Sequence, residues 1–269
     1  MKQSVKVLFL ITAGFLLLTF ISAKFTVPKP KFQSTLPRVV EKSLEGTESR
    51  YAIYIKNLKT GESYQKNETE VFDAGSLYKL WVMQAIFEKI KKGELKEDDP
   101  IEANVRSLNQ QFAIEDPEMT DGVLQFSILS AIEQMITISH NYAALALLTK
   151  LDQDTVKIPT EISAKEIGGF FEKLYQGEII DPEYSQKMIG VLSRQKVNDR
   201  IPKLLPEGTK VAHKTADLGS SEHDAGIVFS SKGDYIIVIL SESDLPQAAG
   251  ERIANISKGV YDCFNDVIE

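Results

Sequence analysis

The sequence predicts an α+β fold. It consists of an antiparallel sheet built from both chain ends, flanked by helices, with an all-helical part inserted between. Three observations predict it. Strand-like runs are confined to two regions, Tyr51–Lys66 and Val211–Leu240. Helix-period apolar patterns fill the stretch between them. A final helical pattern follows the last strand-like run.

Taken in order, Val39–Leu44 reads as a short helix. Tyr51–Asn57 alternates, Leu58-Lys59-Thr60-Gly61 turns, and Glu62–Lys66 returns, which is a hairpin signal. Ser76–Lys91 reads as one helix, apolar nearly all round in its first turns through Leu77, Leu80, Trp81, Val82 and Met83. Such a helix belongs in the middle of a domain. Leu124–Leu148 reads as one or two helices with Ser139 at their junction, and Ser163–Tyr175 and Pro182–Arg194 as two more. Val211–Thr215, Ala225–Phe229 and Tyr235–Leu240 read as strands, with Gly233 and Asp234 in the last hairpin turn. Leu245–Val267 is the terminal helix.

Bulk properties bound the function. The 269 residues carry 43% hydrophobic and 26% charged side chains, an ordinary globular mix able to bury a full core. Net charge is −7, and Lys2, Lys6 and Lys24 lie in the leading segment, so the remainder is more acidic still. This argues against a nucleic-acid partner. The single cysteine, Cys263, forms no internal disulfide or metal cluster, and reads as a half-buried packing residue. His140, His213 and His223 show no metal-ligand spacing, so neither a metal nor another cofactor is expected.

Lys2 and Lys6 precede an uncharged run, Val7–Ala23. That pattern is an export signal or a membrane anchor. The bulky Ile21 in the candidate cleavage site Ile21-Ser22-Ala23 favours an uncleaved anchor, with secretion as the outcome if the segment is cleaved. Either way the rest is expected to work outside the cytoplasm. The expected organisation is a leading segment at 1–24, a proline-bearing tether at 25–44 and a folded domain at 45–269. The helical part of that domain spans about 76–200, and its sheet part about 45–75 and 201–269.

Three polar motifs carry the chemistry: Ser76-Leu77-Tyr78-Lys79, Ser139-His140-Asn141 and His213-Lys214-Thr215-Ala216. Ser76 and Lys79 are one helical turn apart, on one face. A lysine buried there has a depressed pKa and, once neutral, can take the hydroxyl proton. Read blandly, Ser76 is a helix cap and Lys79 a surface lysine, yet the helix is too apolar for a casual lysine in its first turn. Ser139 and Asn141 end a run that should be core; as ordinary residues they would cap the helix beginning at Tyr142. Lys214 and Thr215 sit in an apolar strand context, suited to binding a carboxylate.

The three motifs together resemble the penicillin-recognising serine enzymes, class A β-lactamases in particular. The stretch Met135–Ala143, the helices within Ser163–Arg194 and the turn Leu205-Pro206-Glu207-Gly208 extend the resemblance to about residues 45–269. It implies Ser76 as the acylated nucleophile, Lys79 as its proton partner and Ser139 as a proton shuttle. Asn141 would contact the substrate amide, and Lys214 and Thr215 would hold its carboxylate. The backbone N–H groups of Ser76 and Asp217 would form the oxyanion hole.

The chain departs from that pattern in three places. His140 replaces the usual aspartate, and Ala216 the usual glycine, whose added methyl is expected to crowd the substrate groove. The stretch between Asn141 and Thr160 is short and lacks the loop glutamate that activates the deacylating water in the family. Glu161 and Glu166 are read as first-turn helix charges instead. The expected function is therefore a serine hydrolase or acyltransferase acylated by β-lactams or D-amino-acid cell-wall peptides, with little or no β-lactam turnover. The alternative is a non-catalytic module that binds peptidoglycan or a β-lactam on the same fold.

Overall fold

The computed structural model describes residues 35–152, 156–243 and 245–266. The chain begins with α1 (Leu36–Leu44), β1 (Arg50–Asn57), β2 (Ser63–Lys66) and β3 (Val71–Asp73). A 3-10 turn (Gly75–Tyr78) then leads into α2 (Lys79–Lys91). The middle holds β4 (Pro100–Asn104), α3 (Val105–Gln111), β5 (Val123–Ser127), α4 (Ile128–Thr137), α5 (Asn141–Leu148), β6 (Glu161–Ser163), α6 (Ala164–Gln176) and α7 (Pro182–Leu192). The chain closes with β7 (Val211–Leu218), β8 (Ser221–Val228), β9 (Tyr235–Glu242) and α8 (Pro246–Phe264).

The main sheet has five antiparallel strands in the order β2-β1-β9-β8-β7. Its two halves come from opposite ends of the chain and join where β1 pairs β9, with Ile53 opposite Ile239. The α+β architecture read from the sequence is therefore the observed one.

Both faces of this sheet are covered, and the side-chain period of two decides which residue faces which layer. Along β9, Ile236, Val238 and Leu240 enter the core shared with the helical body. Tyr235, Ile237 and Ile239 enter the core under α1 and α8. Ala52 and Tyr54 of β1 face the helical body, while Tyr51, Ile53 and Ile55 face the terminal helices. A strand buried on both faces reads as a continuous apolar run, which is why YIIVIL shows no alternation. Each fully buried Ile or Leu here contributes about 1.5–3 kcal/mol relative to exposure.

Several elements differ from the sequence reading. The first helix starts at Leu36, within the stretch expected as tether. Pro37 suits a first-turn position, and Leu36 and Val40, one turn apart, are buried against α8. The folded core thus begins before residue 45. Leu124–Ser127, expected as helix, is part of β5 and pairs with β4, Ala103 opposite Leu124. Its short length let a strand and a following helix merge into one apolar pattern. The short pair β3–β6 was also not anticipated, because three-residue strands carry no periodicity. Cys263 is half-buried on α8, its Sγ 3.0 Å from the Thr35 hydroxyl. The expected anchor, Val7–Ala23, lies outside the described residues, and among the described residues no helix is long and apolar enough to cross a membrane.

One close approach fixes the edge of the sheet next to the site. A Cβ on Gly226 of β8 would overlap the Ala212 carbonyl oxygen and lie 2.8 Å from the His213 Cα. Backbone cannot yield there as a flexible side chain could. Gly226→Ala is expected to lower the unfolding free energy by about 1–3 kcal/mol. Urea unfolding checks this, and an unchanged midpoint would contradict the packing described.

Candidate active site

Ser76 lies in the 3-10 turn, not in the first turn of an α-helix as the sequence suggested, and α2 begins three residues later at Lys79. The turn is tightly held. The Asp73 carboxylate accepts from the Gly75 N–H at 2.9 Å. The Ala74 N–H donates to the Thr160 carbonyl at 2.8 Å. Gly75 has φ of +45°, and a Cβ there would lie 2.9 Å from the Ala216 methyl. Only glycine allows this turn to lie against β7. The Ala216 methyl is buried against Gly75, which corrects the expectation that it would crowd the substrate groove.

Ser139 occupies the break between α4 and α5 with φ of +58°. A non-glycine residue in this region is strained and is typically held so by its surroundings at functional sites. The break aims both the carbonyl and the hydroxyl of Ser139 at the buried lysine. His140, rather than Ser139 or Asn141, caps α5, its Nδ1 accepting from the Ala143 N–H at 3.2 Å. The two polar residues of this motif are therefore free for the site.

The hydrogen bonds join all three motifs. Lys79 Nζ donates to the Ser139 carbonyl at 2.7 Å, to the Ser139 hydroxyl at 3.1 Å and to Asn141 Oδ1 at 2.7 Å. Lys214 Nζ donates to the same Ser139 hydroxyl at 3.0 Å and to the Thr215 carbonyl at 2.6 Å. Ser139 Oγ in turn donates to Ser76 Oγ at 2.9 Å. Ser139 thus uses two acceptor positions and its one donor, the full capacity of a hydroxyl. Among the described residues the nucleophile candidate is bonded to Ser139 rather than directly to Lys79.

Burial sets the charge of the amines. Lys79 is fully buried, and desolvation lowers its pKa from 10.5 to about 7, with the Glu118 carboxylate opposing. At neutral pH it is present in both forms. Lys214, also fully buried, is pushed well below the usual lysine range by desolvation first and the Lys79 charge second. His140 is lowered by burial, again opposed by Glu118.

Ser76, Lys79, Ser139, Asn141 and Lys214 are thus brought together as the sequence predicted. Thr215 is buried in β7 and contributes its carbonyl to Lys214; its side chain is not among those lining the cleft. Asp217 lies at the exposed end of β7, on the cleft rim. β7 is an edge strand, and its exposed end, Asp217 and Leu218, offers backbone for an extended ligand to pair with.

The cleft measures about 630 Å³. Its lining includes Ser76, Tyr78 and Asn141 together with apolar Phe112, Leu148, Val156, Ile158 and Pro159. Glu161 is an exposed residue of β6, opposite Asp73. Glu166 closes a capping box with Ser163, accepting from its N–H at 2.8 Å and its hydroxyl at 2.7 Å. Neither residue lines the cleft that holds Ser76.

The sequence reading missed two charged residues. Glu118 accepts from Asn141 Nδ2 at 2.5 Å. It lies in an acidic loop with no motif, and nothing short of the fold could have paired it with Asn141. Arg200, 3% exposed, is ion-paired with Glu222 and donates to the Ala216 and His223 carbonyls at 3.3 and 3.4 Å. It fastens the β7–β8 hairpin behind the cleft.

Comparison with known proteins bears on the fold and the family. Residues 32–264 match the model of the beta-lactamase enzyme family. No curated protein sequence matches the chain. A beta-lactamase from Sphaerobacter thermophilus superposes with a TM-score of 0.76 at 19% identity, covering 88% of this chain and 98% of that one. PBP-A superposes with a TM-score of 0.72 at 23% identity, covering 87% of this chain and 97% of its own. A point mutant of PBP-A, solved as an acyl-enzyme complex with penicillin G, gives 0.69 at 22% identity, over 87% and 97% of the two chains. These structural similarities establish the fold, and the family match over nearly all of the described chain establishes the lineage: this protein belongs to the beta-lactamase enzyme family.

Proposed function

We propose that this chain is an exported serine acyl-transfer protein whose Ser76 is acylated by β-lactams or by D-amino-acid peptides of the cell wall. Acylation would be efficient and release slow. The observation that carries the reading is the relay Lys79–Ser139–Ser76, with Lys214 on the same hydroxyl.

The chemistry follows from the contacts. Once the two hydroxyls reverse their hydrogen bond, the Ser76 proton passes to Ser139 and the Ser139 proton to neutral Lys79, while Ser76 Oγ bonds to the substrate carbonyl carbon. The developing oxyanion is met by the backbone N–H groups of Ser76 and Asp217. As the carbon–nitrogen bond breaks, Ser139 delivers a proton to the leaving nitrogen and is reprotonated from Lys79. Lys214 offers its charge to a substrate carboxylate, which compensates its own burial.

Release needs a second base to activate water. Among the described residues, the 148–160 stretch presents Leu148, Val156, Ile158, Pro159 and Thr160 to the cleft, with no carboxylate. Of the carboxylates that do line the cleft, Asp73 holds the Gly75 N–H and Asp217 lies 3.5 Å from Arg200. A missing general base typically slows such a step about 10²–10⁴-fold, or about 3–5 kcal/mol of barrier. The same wall favours the second reading, a sensor or binding module that is acylated once. The charge-free run after Lys6 supports tethering of this domain to the outer face of a membrane.

Exposure of the domain to benzylpenicillin should add the mass of the intact drug to Ser76 and leave it there for hours. Ser76→Ala should show no adduct. Rapid drug consumption without a lasting adduct would contradict slow release.

The acylation rate constant should also depend on pH. Lys79 acts as a base only when neutral, so the rate should rise about tenfold per pH unit below about 7 and level off above it. A flat profile from about pH 5 to 8 would exclude Lys79 as the proton acceptor.

A further inference from the structure

We propose that Glu118 is a specificity-determining residue that selects acyl donors carrying a protonated amine on the acyl side of the bond broken. This rests on the acyl-transfer reading above and names its substrate class.

The Asn141 amide is oriented by charge at both ends. Its Oδ1 accepts from Lys79 at 2.7 Å, and its Nδ2 donates to the Glu118 carboxylate at 2.5 Å. An amide nitrogen carries two N–H groups. One is taken by Glu118, and the other remains for the carbonyl of a substrate acyl amide. Two acceptors sharing one NH2 group lie about 5 Å apart. A substituent on the carbon next to that amide therefore sits beside the Glu118 carboxylate. A cation there is attracted, and an anion repelled, across partly solvated space.

Glu118 is exposed yet held in place. Its neighbour Met119 is clamped through its backbone by the residue that follows Asn141. The Tyr142 hydroxyl accepts from the Met119 N–H at 3.1 Å and donates to its carbonyl at 2.8 Å. Asn109 Nδ2 donates to the same carbonyl at 2.8 Å. The acidic loop is thus tied to the helix that carries Asn141, so the Glu118 backbone is held beside Asn141 independently of the carboxylate's own bond.

The charges around the cleft have the same sense. The buried centre holds two amines, Lys79 and Lys214. The rim carries exposed carboxylates, Asp73, Asp217 and Glu118. This arrangement matches a zwitterionic ligand with its carboxylate toward the centre and its ammonium at the periphery. A purely anionic ligand meets the rim unfavourably.

The test uses three benzylpenicillins that differ only at the α-carbon of the acyl side chain: amino, unsubstituted and carboxy. Acylation rate constants are measured at low salt and about pH 6, where the added amine is protonated. The protonation of Lys79 is common to all three and cancels in the ratios. The amino compound should be fastest and the carboxy compound slowest. Glu118→Gln should lower the amino-to-carboxy ratio about tenfold, and Glu118→Lys should invert the order. High salt should shrink the wild-type ratio. An unchanged ratio in Glu118→Gln overturns the proposal. So does an equal loss for all three compounds, which would mark Glu118 as structural support for Asn141 alone. The same ratios are read as dissociation constants on Ser76→Ala, which cannot acylate. Charge-ordered binding there without acylation of the wild type would remove the acyl-transfer reading and keep the charge selection. Acylation with no dependence on Glu118 would do the reverse. No binding of any of the three would overturn both.

Discussion

Two buried lysines share one hydroxyl, and the rest of the site is arranged around that fact. Lys79 and Lys214 both reach Ser139 Oγ, at 3.1 and 3.0 Å. Neither amine is exposed, and each charge disfavours the other in low dielectric. Protonation is therefore finely balanced at this point, where an ordinary lysine would simply stay charged. A substrate carboxylate beside Lys214 would stabilise that ammonium and, through like-charge repulsion, favour neutral Lys79. In the proposed reaction, that repulsion would couple substrate binding to activation of Ser76. Ser139, the common neighbour, is hydrogen-bonded to Ser76 and would pass the effect on.

The scaffold makes this arrangement possible by bringing three distant segments within hydrogen-bond distance. The sheet is closed by β1 pairing with β9, so the nucleophile turn that follows β3 comes to lie against β7. Gly75 and Ala216 meet without side-chain interference, and any larger pair would push the turn off the strand. The apolar girth of α2 puts Lys79 under the helical body, where water cannot screen it. The break between α4 and α5 leaves the Ser139 carbonyl outside helical pairing, and Lys79 takes it. Strain at Ser139 and burial at Lys79 are two sides of one contact.

Most of this was legible in the sequence because it rests on short-range pattern. The strands of the sheet, the apolar α2 and the lysine one turn after Ser76 are all local signals. Ser139-His140-Asn141 and His213-Lys214-Thr215 gained meaning only as a set with Ser76 and Lys79, and five residues of that set are joined by hydrogen bonds in the fold. What escaped has a common physical cause. The pairs β3–β6 and β4–β5 are short strands joined across long separations, with no periodicity to reveal them. Leu124–Ser127 has the composition of the helix that follows it, and only pairing with Pro100–Asn104 makes it a strand. Leu36 was read as linker because its packing partner, α8, lies at the far end of the chain. Glu118 and Arg200 carry charge in unpatterned loops, and their roles exist only in three dimensions.

Proton transfer at this site depends on burial bringing the Lys79 amine close to half-protonated at physiological pH. The most direct measurement is its titration by NMR, using lysine labelled at the carbon next to the amine, with Lys79→Arg to assign the signal. A midpoint at about pH 7 is expected. A midpoint at the usual lysine value, about 10.4, would contradict it, because a fully charged Lys79 could not accept the Ser76 proton.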